Sequence, residues 1–262
     1  MTAKELIQKI EEVYPLDKAA EWDNPGFQAG RRQKEIKKVL IALDATDEVI
    51  AKAIEWGADL LLTHHPLTMS GVRTVTSETL TGQKFLQLLQ NDICCYASHT
   101  NYDVCEMAQL AGSMMKLQKP EILDVTGIDK QTAEYMGFGR VGSLVRPVTL
   151  RECGELVKTI FKLDNVKIFG DLDQVIQRVA ISPGSGKSMI GPAIQAKAQV
   201  LITGDIGHHE GLDAVDEGVS IIDAGHYGLE HIFMNQMEKL LKKLNKDLKI
   251  AKAETGSPFV VI

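Results

Sequence analysis

The sequence predicts an α/β protein made of two related β-α-β halves, and three patterns along the chain support this prediction. Short apolar runs alternate with helical patterns over short connections, as they do in proteins with parallel sheets. Residues 37–63 align without a gap on residues 177–203, with eight of 27 positions identical. After each aligned segment comes another strand pattern that ends in a histidine, His99 or His226. We therefore expect mixed or parallel sheets with flanking helices.

In the first half, local signals predict each element in turn. A capping box formed by Thr2 and Glu5 opens an N-terminal helix. Apolar runs predict buried strands, and segments with helical periodicity connect them. The predicted elements that follow are strand 39–43, helix 47–56, strand 59–63, helix 84–90 and strand 93–97.

A differently patterned segment separates the two halves, which we place at about residues 1–105 and 175–262. We interpret about residues 106–174 as an inserted segment rather than an independent domain, because no linker or low-complexity stretch bounds it. Its predicted elements are helix 106–117, strand 136–145, a helix that Thr149 caps and that ends at residue 161, and strand 166–169.

The composition of the chain indicates the cellular compartment and the classes of partner that we expect for the protein. The net charge of −6 disfavours nucleic acid as a partner, although a local basic patch could still bind it. No apolar run approaches the roughly 20 residues that cross a bilayer, and the N-terminus lacks a signal-peptide pattern. Four cysteines without a CxxC pair fit a reducing compartment. We therefore expect a cytoplasmic protein without a membrane segment.

All seven histidines fall in four short clusters, and each cluster follows the carboxyl end of a predicted strand. Open α/β sheets bind their ligands at this edge. Imidazoles together with carboxylates suit zinc, iron, manganese or nickel. The four clusters are residues 63–66, 98–103, 204–210 and 225–231.

His64 and His65 are adjacent at the end of a strand, so they would point to opposite faces of it. Pro66 biases His65 toward extended or turn geometry. The two imidazoles could each reach a different cation. The alternative, a pair of hydrogen-bonded polar residues in a loop, stays open at this point.

His226 and Glu230 are four residues apart, so a helix would place both side chains on one face. Glu230 has two carboxylate oxygens and could bridge two cations. His99 and Asp103 have the same spacing in the first half. The alternative is a helix-capping or hydrogen-bonded pair.

The remaining histidines are weaker candidates for metal ligands. His208 and His209, with Asp205 and Glu210, form a third candidate group. The first half has no histidine at the corresponding place, so we expect this group to contact substrate or to support other ligands. We expect His231 to face away from Glu230. The segment 184–188, GSGKS, lacks the first glycine of a phosphate-binding loop, although an anion-binding turn stays open.

Eight segments, spread over nearly the whole chain, form a recognisable set. They are WDNPG at 22–26, VLIALDAT at 39–46, THHPL at 63–67, HTNYD at 99–103, GFGRVG at 137–142, TGD at 203–205, DAGHY at 223–227 with Glu230, and SPF at 257–259. With these segments the chain resembles a known family, the NIF-three-like proteins, whose members are named GTP cyclohydrolase I type 2 homologs.

This resemblance implies a toroidal homohexamer in which each subunit holds two divalent cations, with zinc, iron and manganese as candidates. The chain is too short for the regulatory domain that some longer members carry as an insertion. His209, rather than His208, lines up with the single histidine usual in the family. The implied metal ligands are His64, His65, Asp103, His226 and Glu230, with Glu230 bridging.

The predicted function is that of a metal-dependent hydrolase of the GTP cyclohydrolase I type 2 homolog family, acting on a nucleotide-like substrate through a metal-activated water. Glu230 is then part of the catalytic site, His99 or His209 could relay protons, and Arg140 could hold a phosphate. Two alternatives stay open. One is a two-metal phosphoesterase, and the other is a non-enzymatic hexameric scaffold or interaction protein that binds metal.

Overall fold

The computed structural model describes residues 1–130 and 132–262. Gln131, which falls within the predicted inserted segment, lies outside the described residues. The chain forms two compact units. The first unit consists of Met1–Tyr102 with Phe233–Thr255, and the second of Asp103–Ile232 with Gly256–Ile262.

Strands and helices alternate through most of the chain. The strands are β1 (Gly26–Ala29), β2 (Lys38–Ala42), β3 (Leu60–Thr63), β4 (Cys94–Ala97), β5 (Gln118–Ile128), β6 (Tyr135–Thr149), β7 (Lys167–Phe169), β8 (Val175–Ser185), β9 (Val200–Gly204), β10 (Ser220–Asp223) and β11 (Lys249–Ala253). The helices are α1 (Ala3–Glu11), α2 (Asp47–Trp56), α3 (Leu80–Gln90), α4 (Thr100–Tyr102), α5 (Ala108–Met114), α6 (Leu150–Phe161), α7 (Ile190–Gln195), α8 (His208–Asp216), α9 (His226–Glu230) and α10 (Ile232–Leu244).

The first unit contains a five-stranded sheet in the order β1-β4-β3-β2-β11. Strands β2, β3, β4 and β11 run parallel, and β1 pairs antiparallel with β4 at the edge. Thr46 caps α2, whose apolar face packs Val49, Ile50 and Ala53 into the core that covers the sheet. The predicted strands and helices of this half are confirmed, with α3 starting four residues earlier than its periodicity indicated.

The second unit contains a six-stranded sheet in the order β5-β6-β8-β9-β10-β7. The central strands β8, β9 and β10 run parallel, whereas β5, β6 and β7 join through antiparallel pairs. Thr149 caps α6, as predicted, and it does so in a capping box with Glu152. Residues 106–174 supply β5, β6 and β7 to this sheet, so they are part of its hydrogen-bonded structure.

Strand pairing in the two units follows the internal repeat. Val39 pairs with Leu60 in the first sheet, and Val179 pairs with Val200 in the second, so both registers are related by the same offset of 140 residues (179 − 39 and 200 − 60). This agreement confirms the predicted α/β fold of two related β-α-β halves with flanking helices. Among the described residues, no helix is long and apolar enough to cross a membrane.

The hydrogen bonds between the strands show that His99 and His226 do not occupy equivalent positions in the repeat. The carbonyl of Thr63 accepts from the amide of Ser98, and the carbonyl of Thr203 accepts from that of Ala224. Ser98 and Ala224 are therefore equivalent, so His226 corresponds to Thr100 and not to His99. The two strand-end histidines are offset by one position.

Candidate metal centre

The strand-end histidines of the first unit form one compact group. His64 and His65 follow β3, and His99 follows β4, which is its parallel neighbour. One ring nitrogen from each lies within 4.8 Å of the others. The His99 ring centroid is 5.1 Å from that of His64 and 5.3 Å from that of His65. His64 is fully buried, and its ring packs against Phe233 of α10.

Hydrogen bonds set the orientation of the first two imidazoles. His64 Nδ1 lies 2.8 Å from the carbonyl oxygen of Ser98, and His65 Nδ1 lies 2.7 Å from Asp44 Oδ1. A carbonyl and a carboxylate can only accept, so each Nδ1 carries the proton and each Nε2 carries the lone pair. Histidines that bind metals are usually held in this way, with the second ring nitrogen bound to an acceptor.

His99 is held by a buried carboxylate. Its Nδ1 lies 2.8 Å from Asp23 Oδ1, and the other Asp23 oxygen accepts from the amide of Thr100 at 3.0 Å. Burial alone would raise the pKa of Asp23, but the hydrogen bonds from His99 and Thr100 outweigh it and lower this pKa to about 2. Asp23 is therefore ionised at neutral pH and accepts the hydrogen bond from His99 Nδ1.

The second unit carries a histidine–carboxylate pair at the end of β10. His226 opens α9, with Nδ1 2.7 Å from Asp205 Oδ2 and Nε2 2.9 Å from Glu230 Oε2. The Glu230 side chain is only 4% exposed. The spacing of four residues thus places both side chains on one helix face, as predicted.

Asp103 lies close to this pair. One of its carboxylate oxygens is within 4.8 Å of a carboxylate oxygen of Glu230. Asp103 begins a π-helical turn, Asp103–Met107, and such turns are frequent at functional sites because they shift side chains relative to a regular helix. Two carboxylates held this close repel each other unless a proton or a cation lies between them.

Glycines next to the pair leave the space that it occupies. Gly184 has φ +83°, and a Cβ built there would lie 2.4 Å from Glu230 Oε1. A Cβ at Gly204 would lie 2.5 Å from the backbone nitrogen of His226. Gly184, which lies at the end of β8 in the GSGKS segment, therefore leaves room for the Glu230 carboxylate.

The donor set of these two groups fits a divalent transition metal. It consists of imidazole nitrogens and carboxylate oxygens, which suit zinc, iron and manganese. It contains no thiolate, whereas closed structural zinc sites are dominated by cysteine. The structure thus has histidine and glutamate groups that can hold metal.

The other predicted site residues lie outside these groups. His208 and His209 are exposed at the start of α8, and among the described residues neither joins a group of three potential ligands. His231 Nδ1 lies 3.0 Å from the Gly228 carbonyl oxygen, and its ring stacks on Tyr227. His231 therefore faces away from Glu230, as expected.

Arg140 lies on β6 and is partly buried. Its Nε donates to Gln109 Oε1 at 3.1 Å, and its Nη1 donates to the carbonyl of Gly139 at 2.8 Å. Burial lowers the pKa of the guanidinium, which nevertheless stays charged at neutral pH. Its contact with a substrate phosphate stays a prediction.

Two of the carboxylates that orient the histidines, Asp44 and Asp23, were not predicted. Asp205 was expected to support ligands or to contact substrate, but its bond to His226 was not predicted. Asp44 and Asp205 follow strands whose neighbours carry the histidines that they bind. An acidic residue at the end of an adjacent parallel strand was therefore the available signal.

Comparison with known proteins identifies the family of this chain. The family model described as Duf34/NIF3 (NGG1p interacting factor 3) matches residues 1–257. The chain belongs to the Duf34/NIF3 family.

Relatives of the Duf34/NIF3 chain match over nearly their whole length. A GTP cyclohydrolase 1 type 2 homolog from Clostridium perfringens is 36% identical over 266 residues, covering 100% of both proteins. Reduced HcgD from Methanocaldococcus jannaschii is 33% identical with a TM-score of 0.81, covering 96% of this chain and 97% of its own. A Bacillus cereus protein related to NIF3 shares the fold, with a TM-score of 0.89 at 23% identity over 100% of this chain and 99% of its own.

Proposed function

We propose that the protein is a metal-dependent hydrolase that acts on a nucleotide-like substrate. Two divalent cations would be held by His64, His65, Asp103, His226 and Glu230. The observation that carries this proposal is the way in which the histidines are held, since His65 and His226 each direct Nδ1 to a carboxylate, as metal-binding histidines usually do. The name of the Clostridium perfringens relative, GTP cyclohydrolase 1 type 2 homolog, supports a guanine nucleotide as substrate.

Each residue has a distinct task in this proposal. Bound divalent cations would supply Lewis-acid chemistry that lowers the pKa of water toward neutrality. Glu230 would bridge the cations through its two carboxylate oxygens. His99, held by ionised Asp23, would move a proton to or from the substrate, and His209 is the alternative for this role. Arg140 would bind a phosphate through its guanidinium.

The test is the Glu230→Gln variant, assayed with GTP for formate release on metal-loaded protein. The amide keeps the size of the side chain but lacks its negative charge, so turnover should fall at least 100-fold while the circular dichroism spectrum stays that of the wild type. Glu210→Gln is the matched control, because Glu210 pairs with Lys187 outside both groups. Unchanged turnover in the Glu230→Gln protein would refute the proposal.

Two-metal phosphoester hydrolysis is the second candidate, and it uses the same ligand groups. The products separate the two reactions. Phosphate or a cleaved ester without formate indicates the phosphoesterase, whereas formate with a pterin indicates the cyclohydrolase reaction.

A non-enzymatic scaffold is the third candidate, and the family description as an interacting factor favours it. For all three candidate functions, we propose that the protein assembles as a ring-shaped homohexamer. Its native mass in light scattering should then be about six times 28.8 kDa. Ligand variants that break the hexamer, together with no turnover of any nucleotide or phosphoester, would favour the scaffold.

A further inference from the structure

An exposed tryptophan lies beside the histidine group of the first unit. Trp22 is 64% exposed, and its ring centroid is 6.1 Å from that of His99 with the two rings nearly perpendicular at 77°. The other tryptophan of the chain, Trp56, packs against the core of the same unit and against Lys38. Trp56 therefore has a structural task, whereas the burial of Trp22 contributes little to folding.

The backbone around Trp22 is anchored although the indole is exposed. The amide of Ala20 donates to Thr100 Oγ1 at 2.9 Å, and the carboxylate of Asp23 accepts from both Thr100 and His99. The residues on both sides of the tryptophan are thus tied to the end of β4. A ligand that packs on the indole therefore does not have to order the backbone of this loop.

The position of Trp22 relates it to the proposed chemistry. A planar ligand on its exposed face would lie beside the ring of His99, whose centroid is 5.1 Å from His64 and 5.3 Å from His65. Asp23 directly follows Trp22 in the chain and orients His99. One short loop therefore presents an aromatic surface and fixes the neighbouring proton acceptor.

We propose that Trp22 is the platform on which the heteroaromatic ring of the substrate, a purine-like base, stacks. The inference rests on the proposed function, because it assumes a nucleotide-like substrate. Base–aromatic stacking contributes enough to weaken binding roughly tenfold or more when the aromatic ring is removed. The stacking contact acts on the base of the substrate, whereas the candidate metal ligands and Arg140 act on oxygen atoms. Trp22 then makes the site selective for substrates that carry a planar base.

The chain contains two tryptophans, so the Trp56→Phe variant makes Trp22 the only indole reporter. Full-length, metal-loaded protein is titrated with guanosine, GTP and inorganic tripolyphosphate, with excitation at wavelengths where guanine does not absorb. We expect guanosine and GTP to quench the emission saturably and tripolyphosphate to leave it unchanged. The Trp22→Phe variant, which reports only Trp56, should show no response. If Trp56→Phe does not fold, the difference between wild type and Trp22→Phe gives the same readout.

Calorimetry of GTP binding supplies the second measurement. Trp22→Ala should weaken binding at least tenfold, and Trp22→Phe should retain most of the affinity because phenylalanine also stacks. GTP binding without quenching of Trp22 would overturn the platform and leave the hydrolase proposal standing. Quenching without turnover would support the platform while the hydrolase proposal fails. An altered oligomeric mass of Trp22→Ala with unchanged affinity would make Trp22 a subunit contact and would also overturn the inference.

Discussion

At the scale of single residues, the candidate metal centre depends on acceptors bound to Nδ1 of each histidine. Asp44 binds Nδ1 of His65, so that its Nε2 carries the lone pair. Asp205 binds Nδ1 of His226, whose Nε2 faces the carboxylate of Glu230 at 2.9 Å. A carboxylate in this position also raises the basicity of the imidazole as a ligand. The affinity for metal should therefore respond to residues that are not ligands themselves.

Asp205→Asn tests this dependence. An amide is a weaker acceptor and can present its NH2 group to the histidine, so we expect the affinity for zinc or manganese to fall about 10- to 100-fold. A metal titration against a competing chelator measures this change. Asp216→Asn, at an exposed position at the end of α8, should bind metal as the wild type does. An unchanged affinity of Asp205→Asn would show that the hydrogen bond does not support a ligand.

Gly184→Ala tests the space around Glu230. The residue has φ +83°, where an alanine is strained by about 1–2 kcal/mol, and the new Cβ would lie 2.4 Å from Glu230 Oε1. We expect a lower free energy of unfolding for the metal-free protein in urea and weaker metal binding. Gly191→Ala is the matched control, because a Cβ at that position in α7 meets nothing within 4 Å and should stabilise the helix. Equal stability and metal affinity of the two variants would contradict this account.

At the scale of elements, the helices follow local signals closely. Thr149 and Glu152 form a complete capping box at α6, and their hydrogen bonds lower the pKa of Glu152. Because the folded-state pKa is depressed, the contribution of Glu152 is present above its unfolded-state pKa. It is lost as the pH falls through the lower, folded-state value.

Thr149→Ala should therefore lower the free energy of unfolding by about 1 kcal/mol at neutral pH. Urea denaturation at pH 7 measures this loss. Glu152→Gln keeps a hydrogen-bonding group at the third helical position but cannot titrate, so it should reduce the pH dependence while keeping most of the stability. A Thr149→Ala protein as stable as the wild type at pH 7 would refute the role of the cap.

The sequence predicted the central strands and the edge strand β7 but missed the edge strands β1, β5 and β11. Strands such as β3 and β9 are buried on both faces and read as continuous apolar runs. The edge strands β5 and β11 contain lysine or proline at exposed positions, as edge strands often do, so their sequences lack such a run. No residue composition distinguishes a π-helical turn, so the turn that begins at Asp103 was not predictable from the sequence.

At the scale of the whole molecule, the internal repeat predicted the paired β-α-β halves but not the details of the site. The strand-end clusters were visible because the chain has only seven histidines and all of them follow apolar runs. The bonds from Asp23, Asp44 and Asp205 were not visible, because they depend on strand register and loop geometry. The same dependence explains the offset of one position between His99 and His226.

Metal analysis of full-length protein, purified without chelator or affinity metal, tests the central claim most directly. We expect about two equivalents of zinc, iron or manganese per chain in the wild type. The His226→Ala variant should lose metal, whereas His208→Ala, altered at an exposed position, should retain it. No bound metal in the wild type, and no uptake on titration with these cations, would contradict the account.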